Sequence, residues 1–84
     1  MTIEQFRATS QYVQKSMIKI HGTFLLKRKS VETYAYLFQV DGFYAEVFFN
    51  ERNGNILQIK AFDNVDELEP YLEEVDISEI VQNV

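Results

Sequence analysis

Cysteine and tryptophan are missing from this sequence, and proline occurs once. Without cysteine, a disulfide framework and a zinc-thiolate site are excluded, and the chain is expected in a reducing compartment. No apolar run approaches the roughly 18 residues of a membrane span, and the first ten residues lack the basic and apolar regions of a secretory signal. These absences predict one small cytoplasmic domain, residues 1–84, without a membrane partner.

Glycine is also scarce, and its positions indicate turns rather than a binding loop. Gly22, Gly42 and Gly54 are far apart, so the chain has no glycine-rich loop that could hold a phosphate. Asp41-Gly42 and Asn53-Gly54 are typical of β-hairpin turns, and Gly22 suits the end of a helix.

Basic residues are absent after residue 62, which gives the chain two oppositely charged parts. Residues 1–62 contain eight basic and five acidic side chains, a net charge of +3, whereas residues 63–84 contain eight acidic side chains and no Lys or Arg. Such segregation favours electrostatic contact of tail with body, or of one copy with another. The alternative is a solvated acidic helix face on an ordinary acidic protein.

Two hairpins are predicted between Thr33 and Phe62, where three runs of aromatic and β-branched residues are separated by the two turn signals. A type I′ turn at Asp41-Gly42 and a bulged turn with Gly54 in the left-handed conformation keep one face apolar throughout. The predicted pairs are Val40 with Phe43, Phe38 with Ala45, Tyr36 with Val47, Tyr34 with Phe49, Phe49 with Leu57, Val47 with Ile59 and Ala45 with Ala61. These residues form what we call the aromatic face.

Helices are predicted on both sides of these hairpins. Thr2 and Gln5 fit a capping box that begins a helix from about residue 3 to 20, with a possible break near Thr9-Ser10. After Phe62, apolar residues at helical spacing predict two short acidic helices, or one helix kinked near Asp76.

A further strand is predicted over residues 23–28, with Phe24 opposite Tyr36 and Leu26 opposite Tyr34. The expected fold is therefore α+β: an N-terminal helix, a four-stranded antiparallel meander and one or two C-terminal acidic helices (αββββαα). All helices are expected to cover the aromatic face.

The opposite face of the sheet, which we call the mixed face, is about half apolar. A solvated antiparallel face is normally more polar, so we expect another part of the chain or another molecule to cover it. A homodimer is the preferred interpretation. Its predicted interface comprises Leu37, Tyr44, Glu46, Phe48, Ile56 and Phe62, and a second, acidic contact is predicted at Asp66, Glu67, Glu73 and Glu74.

Candidate catalytic groups are few. His21 is the single histidine, no serine lies beside a plausible catalytic base in the sequence, and the acidic pairs do not match a calcium-binding loop. The sequence thus predicts a non-enzymatic protein-interaction domain with no catalytic residue, metal site or cofactor.

The alternative function is a ligand-binding or nucleic-acid-binding module that uses the mixed face with Lys27, Arg28 and Lys29. The order of helix and strands resembles that of double-stranded RNA-binding domains. Those domains have a basic second helix, whereas the corresponding segment is acidic in this chain, so nucleic acid is not the favoured partner.

Overall fold

The computed structural model describes residues 1–74, with side chains through Tyr71. A four-stranded antiparallel sheet has the order β1-β2-β3-β4, which confirms the predicted α+β meander. Its elements are α1 (Ile3–Arg7), α2 (Gln11–His21), β1 (Gly22–Ser30), β2 (Thr33–Val40), β3 (Phe43–Asn50), β4 (Ile56–Phe62), a 3₁₀ helix (Val65–Leu68) and α3 (Glu69–Glu74). The predicted kink near Asp76 lies outside the described residues.

The N-terminal helical region is divided in two, at the break that the sequence left open. The capping box is present: the Gln5 amide donates to Thr2 Oγ1 at 3.1 Å, and the Thr2 amide donates to Gln5 Oε1 at 2.8 Å. Ser10 then caps α2 by accepting a hydrogen bond from the Val13 amide. Because a side chain that bonds the backbone ahead of it favours the start of a helix, Ser10 begins α2 instead of continuing α1.

The pairing of β2 with β3 follows the predicted register at every position, from Val40 with Phe43 to Tyr34 with Phe49. The turn itself is not type I′, since Asp41 has a positive φ of 51° and Gly42 does not have a positive φ. Aspartate is one of the few residues that tolerate this conformation, because its short polar side chain bonds locally.

The β3–β4 hairpin differs from the prediction at one end. Val47 pairs with Ile59 as expected, and Gly54 is left-handed with φ 72°, but Phe49 pairs with Ile56 instead of Leu57. A register shift next to Phe48 turns Ile56 toward the aromatic face and leaves Leu57 half exposed. The placement of Ile56 in the mixed-face interface was therefore wrong, because one inserted residue reverses the side chains beyond it.

The predicted register of β1 was also wrong. Leu26 pairs with Leu37 and Phe24 pairs with Phe38, with an irregularity at Leu25. The cause is a tighter connection than expected: Ser30 pairs directly with Thr33, so only two residues form the turn. As a result, Leu26 belongs to the mixed face.

The main core lies between the aromatic face and the two N-terminal helices. Phe6 of α1 is fully buried, and its ring centroid is 5.3 Å from that of Phe43. Arg7 Nη2 donates to the Ala61 carbonyl at 2.8 Å and ties α1 to β4. The buried members of this core are Ile3, Phe6, Ile18, Val40, Phe43, Ala45, Val47 and Ala61.

A second core lies on the mixed face. Tyr71 of α3 is buried there with Ala35, Leu37 and Phe62, and Leu68 packs against the same cluster. The expectation that all helices pack on one sheet face was therefore wrong. Phe62 points to the mixed face and the 3₁₀ helix begins three residues later, so the chain turns onto the nearer apolar surface, where burial is favourable.

Candidate functional site

The residues predicted to form the mixed-face interface occupy three different environments. Leu37, Glu46 and Phe62 are buried beneath the C-terminal helices, and Tyr44 and Phe48 are partly buried at the margin of that contact. The sixth residue, Ile56, lies on the aromatic face. Five of the six are thus brought together, and α3 already covers the centre of their surface.

Glu46 lies at the centre of the mixed face and connects three elements. The Tyr71 hydroxyl donates a hydrogen bond to Glu46 Oε2 at 2.6 Å, and Arg28 Nη2 is 3.8 Å from the same oxygen. The Arg28 guanidinium also lies 5.2 Å from the centroid of the Tyr71 ring. These contacts hold α3 against β1 and β3, and charge-assisted bonds of this kind are the stronger hydrogen bonds in proteins.

The environment of Tyr71 keeps its hydroxyl protonated. Burial raises the pKa of Tyr71 above its ordinary value, and the hydrogen bond to the Glu46 carboxylate raises it further. A phenolate at this position would be desolvated and would face a carboxylate, so it is strongly disfavoured. The hydroxyl is therefore a permanent donor, which suits a structural contact and not proton transfer near neutral pH.

A charged cleft of about 490 Å³ opens beside this network. Lys60 Nζ lies 3.5 Å from Glu67 Oε1 across it, so a strand cation and a helix carboxylate pair within the chain. The residues that line the charged cleft are Arg28, Glu46, Phe48, Lys60, Asp66, Glu67, Glu69 and Pro70. Two of the predicted acidic-contact residues, Asp66 and Glu67, border this cleft. The side chains of the other two, Glu73 and Glu74, lie outside the described part of the structure.

The three consecutive basic residues of β1 do not form one surface. Arg28 lies on the mixed face against Glu46, whereas Lys27 and Lys29 lie over the ring of Tyr34 at 5.1 and 5.7 Å from its centroid. A side-chain hydrogen bond to Glu51 raises the pKa of Lys29, whose Nζ is 3.1 Å from that carboxylate. The predicted cluster is therefore split by the alternation of the strand.

The outer edge of the sheet at β1 carries an apolar patch that the sequence analysis missed. Phe24, Leu25 and Leu26 are 52%, 38% and 37% exposed, and we call these three residues the β1 patch. Phe24 extends a row of aromatic rings, with centroids 5.6 Å from Tyr36 and 5.7 Å from Phe38. The signal available in the sequence was the run of three large apolar residues in an edge strand. Successive side chains of a strand point to opposite faces, so three in a row cannot all be buried on one face.

The described residues contain neither a metal-binding cluster nor a membrane-spanning helix. Among the side chains that the structure describes, residues 1–71, His, Asp and Glu do not gather into a group of three or more that could hold a metal ion. None of the described helices is long and apolar enough to cross a membrane.

Comparison of the chain with protein-family models, with curated proteins and with solved structures gives no match.

Proposed function

We propose that this chain is a non-enzymatic protein-interaction domain that self-associates through the β1 patch. The observation that carries the proposal is the exposure of three consecutive large apolar side chains on an edge strand. Contiguous exposed apolar surface on a small domain marks an interaction site, and an edge strand also offers unpaired backbone groups.

A second copy of the chain fits this patch by symmetry. If two β1 strands lie antiparallel about a twofold axis at Leu25, the two Leu25 side chains meet at the axis, with Phe24 of each copy beside them on the aromatic face and Leu26 on the mixed face. The same arrangement sets Lys27 opposite Thr23, so the basic residues of the two copies do not oppose each other. The irregularity at Leu25 interrupts regular backbone pairing at the centre, so side-chain packing provides most of this contact.

The mixed face supports self-association less well than the sequence indicated. A contact centred on Leu37 and Phe62 would have to displace Tyr71, which is buried on them. The acidic residues Asp66 and Glu67 remain our proposed second contact, because they are exposed at the border of the charged cleft.

The nucleic-acid alternative has limited support. The ammonium groups of Lys27 and Lys29 lie over the ring of Tyr34, and Arg28 is held on the other face by Glu46. Single-stranded nucleic acid requires open aromatic faces beside unpaired cations, and this part of the sheet offers little of either.

The test is the solution mass of the purified protein by light scattering across a dilution series. We expect a dimer for the native chain and a folded monomer for Leu25→Lys, because a lysine at the proposed axis places two like charges together. Val31→Lys is the matched control: it adds the same charge at a residue that is 88% exposed in the β1–β2 turn, and it should remain dimeric.

Phe48→Asp separates the two possible interfaces in the same experiment. We expect this variant to lose stability in circular dichroism melts, because Phe48 packs against the internal cluster that contains Tyr71. A folded Phe48→Asp monomer beside a dimeric Leu25→Lys variant would place the interface on the mixed face. A native chain that is monomeric at every concentration would contradict self-association altogether.

A further inference from the structure

An apolar pocket lies between α2 and the aromatic face, and it shares no lining residue with the β1 patch or the charged cleft. Its volume is about 220 Å³. Two lysines of α2, Lys15 and Lys19, are the polar residues in its wall, and the rest of the wall is apolar: Ile18, Phe38, Val47, Phe49, Ile56 and Ile59.

The pocket exists because α2 is a poor cover for this part of the sheet. Ile18 is the buried residue of α2, and the positions one turn before it are Gln14 and Lys15. Gln14 turns away to donate a hydrogen bond to the Phe6 carbonyl at 2.9 Å. Apart from Ile18, the α2 residues that line this pocket are lysines, and Phe49 and Ile56 stay only partly buried.

The hydrocarbon stems of Lys15 and Lys19 line the pocket, and these long side chains can bring their ammonium groups to its mouth. Lys15 and Lys19 are four residues apart, so they project from the same side of α2. Both are exposed, and within the described residues neither forms an ion pair, although five pairs form elsewhere. An apolar wall below two unpaired ammonium groups is complementary to a molecule with an apolar chain and an anionic end.

The volume limits the length of that chain. A methylene group occupies about the same space as a water molecule, roughly 30 Å³, so the pocket holds on the order of seven such groups. This corresponds to the hydrocarbon part of an eight-carbon acid.

We propose that this pocket binds a medium-chain fatty acid, with the alkyl chain between α2 and the sheet and the carboxylate on Lys15 and Lys19. The inference does not depend on self-association, since its residues are separate from the β1 patch.

Calorimetric titration of the 84-residue chain with sodium octanoate, below its micellar concentration, tests the proposal. Octanoate should bind at one saturable site and about fifteenfold more tightly than hexanoate, because each buried methylene contributes roughly fourfold. Octan-1-ol has the same chain without the charge and should bind at least about tenfold more weakly than octanoate.

The variant Lys15→Gln/Lys19→Gln distinguishes the pocket from the rest of the surface. It should weaken octanoate binding to the level of octan-1-ol and leave octan-1-ol binding unchanged, which a general loss of folding would not do. Lys27→Gln is the control, because it also replaces a lysine on the aromatic face, but one that lies outside the pocket. It should leave octanoate binding unchanged. Amide chemical-shift changes on octanoate addition should be largest in α2, at Phe38 of β2, and in the parts of β3 and β4 that line the pocket.

Three results would overturn the proposal: no saturable binding of octanoate, equal affinity for hexanoate and octanoate, or unchanged octanoate affinity in the double lysine variant.

Discussion

Glu46 shows how a single residue fixes the position of an element. It is a charged side chain that is 6% exposed in the middle of a sheet face, and a buried carboxylate is costly unless it is paired and hydrogen-bonded. Tyr71 supplies the hydrogen bond and Arg28 the opposite charge. Removal of either partner leaves part of that cost uncompensated, so substitution of Tyr71 or Arg28 should lower the free energy of unfolding.

Tyr71→Phe tests the contribution of the hydrogen bond between Tyr71 and Glu46. It removes the hydroxyl and keeps the ring, so at neutral pH we expect a loss of about 1–2 kcal/mol in the free energy of unfolding. Urea unfolding followed by circular dichroism measures it. Tyr12→Phe is the matched control. Tyr12 is 81% exposed, so removal of its hydroxyl should leave the free energy of unfolding nearly unchanged.

The stabilities of Tyr71→Phe and Tyr12→Phe should depend differently on pH. The pKa of Tyr71 is raised in the folded state, so above pH of about 10 the unfolded chain releases a proton that the folded chain retains. This contribution to stability is complete below that pH and declines by about 1.4 kcal/mol per pH unit above it. Native protein and Tyr12→Phe should therefore lose stability more steeply than Tyr71→Phe at alkaline pH. Parallel slopes for all three would show that Tyr71 titrates normally.

Among the elements, β2 and β3 were the most predictable. Their long alternation of apolar residues across Asp41-Gly42 permits one register that keeps the aromatic face apolar, and the structure has that register. Ile56 and Leu26 were placed incorrectly for a shared reason. Each adjoins an irregular pairing in an outer strand, where two neighbouring apolar residues satisfy either face and the pattern does not specify the bulge.

The β1–β2 turn contains a residue in a strained backbone conformation. Glu32 has φ 60°, a left-handed conformation that is strained for a residue with a Cβ atom. Glu32→Gly should therefore stabilise the fold by about 0.5–1 kcal/mol, after the greater entropy of glycine in the unfolded chain is subtracted. The hydrogen bond from the Glu51 amide to the residue 32 carbonyl, 2.9 Å long, is retained in this variant.

Glu32→Gln is the control for the side chain, since it keeps the strained backbone and removes the exposed ion pair with Arg52. Its effect should be within about 0.5 kcal/mol, because exposed ion pairs contribute little. Thermal melts of the three proteins compare the two contributions. If the glycine variant melts lower than both others, the turn is not strained.

For the molecule as a whole, the sequence predicted two layers and the structure has three. The mixed face was recognised as too apolar for solvent, and a helix of the same chain was one of the stated alternatives. The choice could not be made from periodicity, because the stripe containing Leu68 and Tyr71 fits either face of the sheet. What decides it is the short connection after Phe62 together with the need of Glu46 for a donor, and the second of these is visible only when the face is considered in three dimensions.

The three-layer arrangement makes a prediction about truncated chains. Residues 1–64 lack Leu68 and Tyr71, so this fragment should expose Leu37 and Phe62, at a cost of roughly 1.5–3 kcal/mol for each large apolar side chain left in water. Against a total stability of about 4–13 kcal/mol for a chain of this length, that loss is large. Residues 1–74 keep both covering side chains and serve as the control. Both fragments are made with Leu25→Lys, so that association through the β1 patch does not obscure the result.

We expect the shorter fragment to bind a hydrophobic fluorescent dye and to increase in mass with concentration, or to unfold outright. The longer fragment should bind as little dye as the full-length Leu25→Lys protein. Either response of the shorter fragment is explained by the loss of a cover that the chain itself supplies, since the mixed face is then open to water or to another copy. Equal melting temperatures and equally weak dye binding in the two fragments would mean that Leu68 and Tyr71 contribute nothing to the second core.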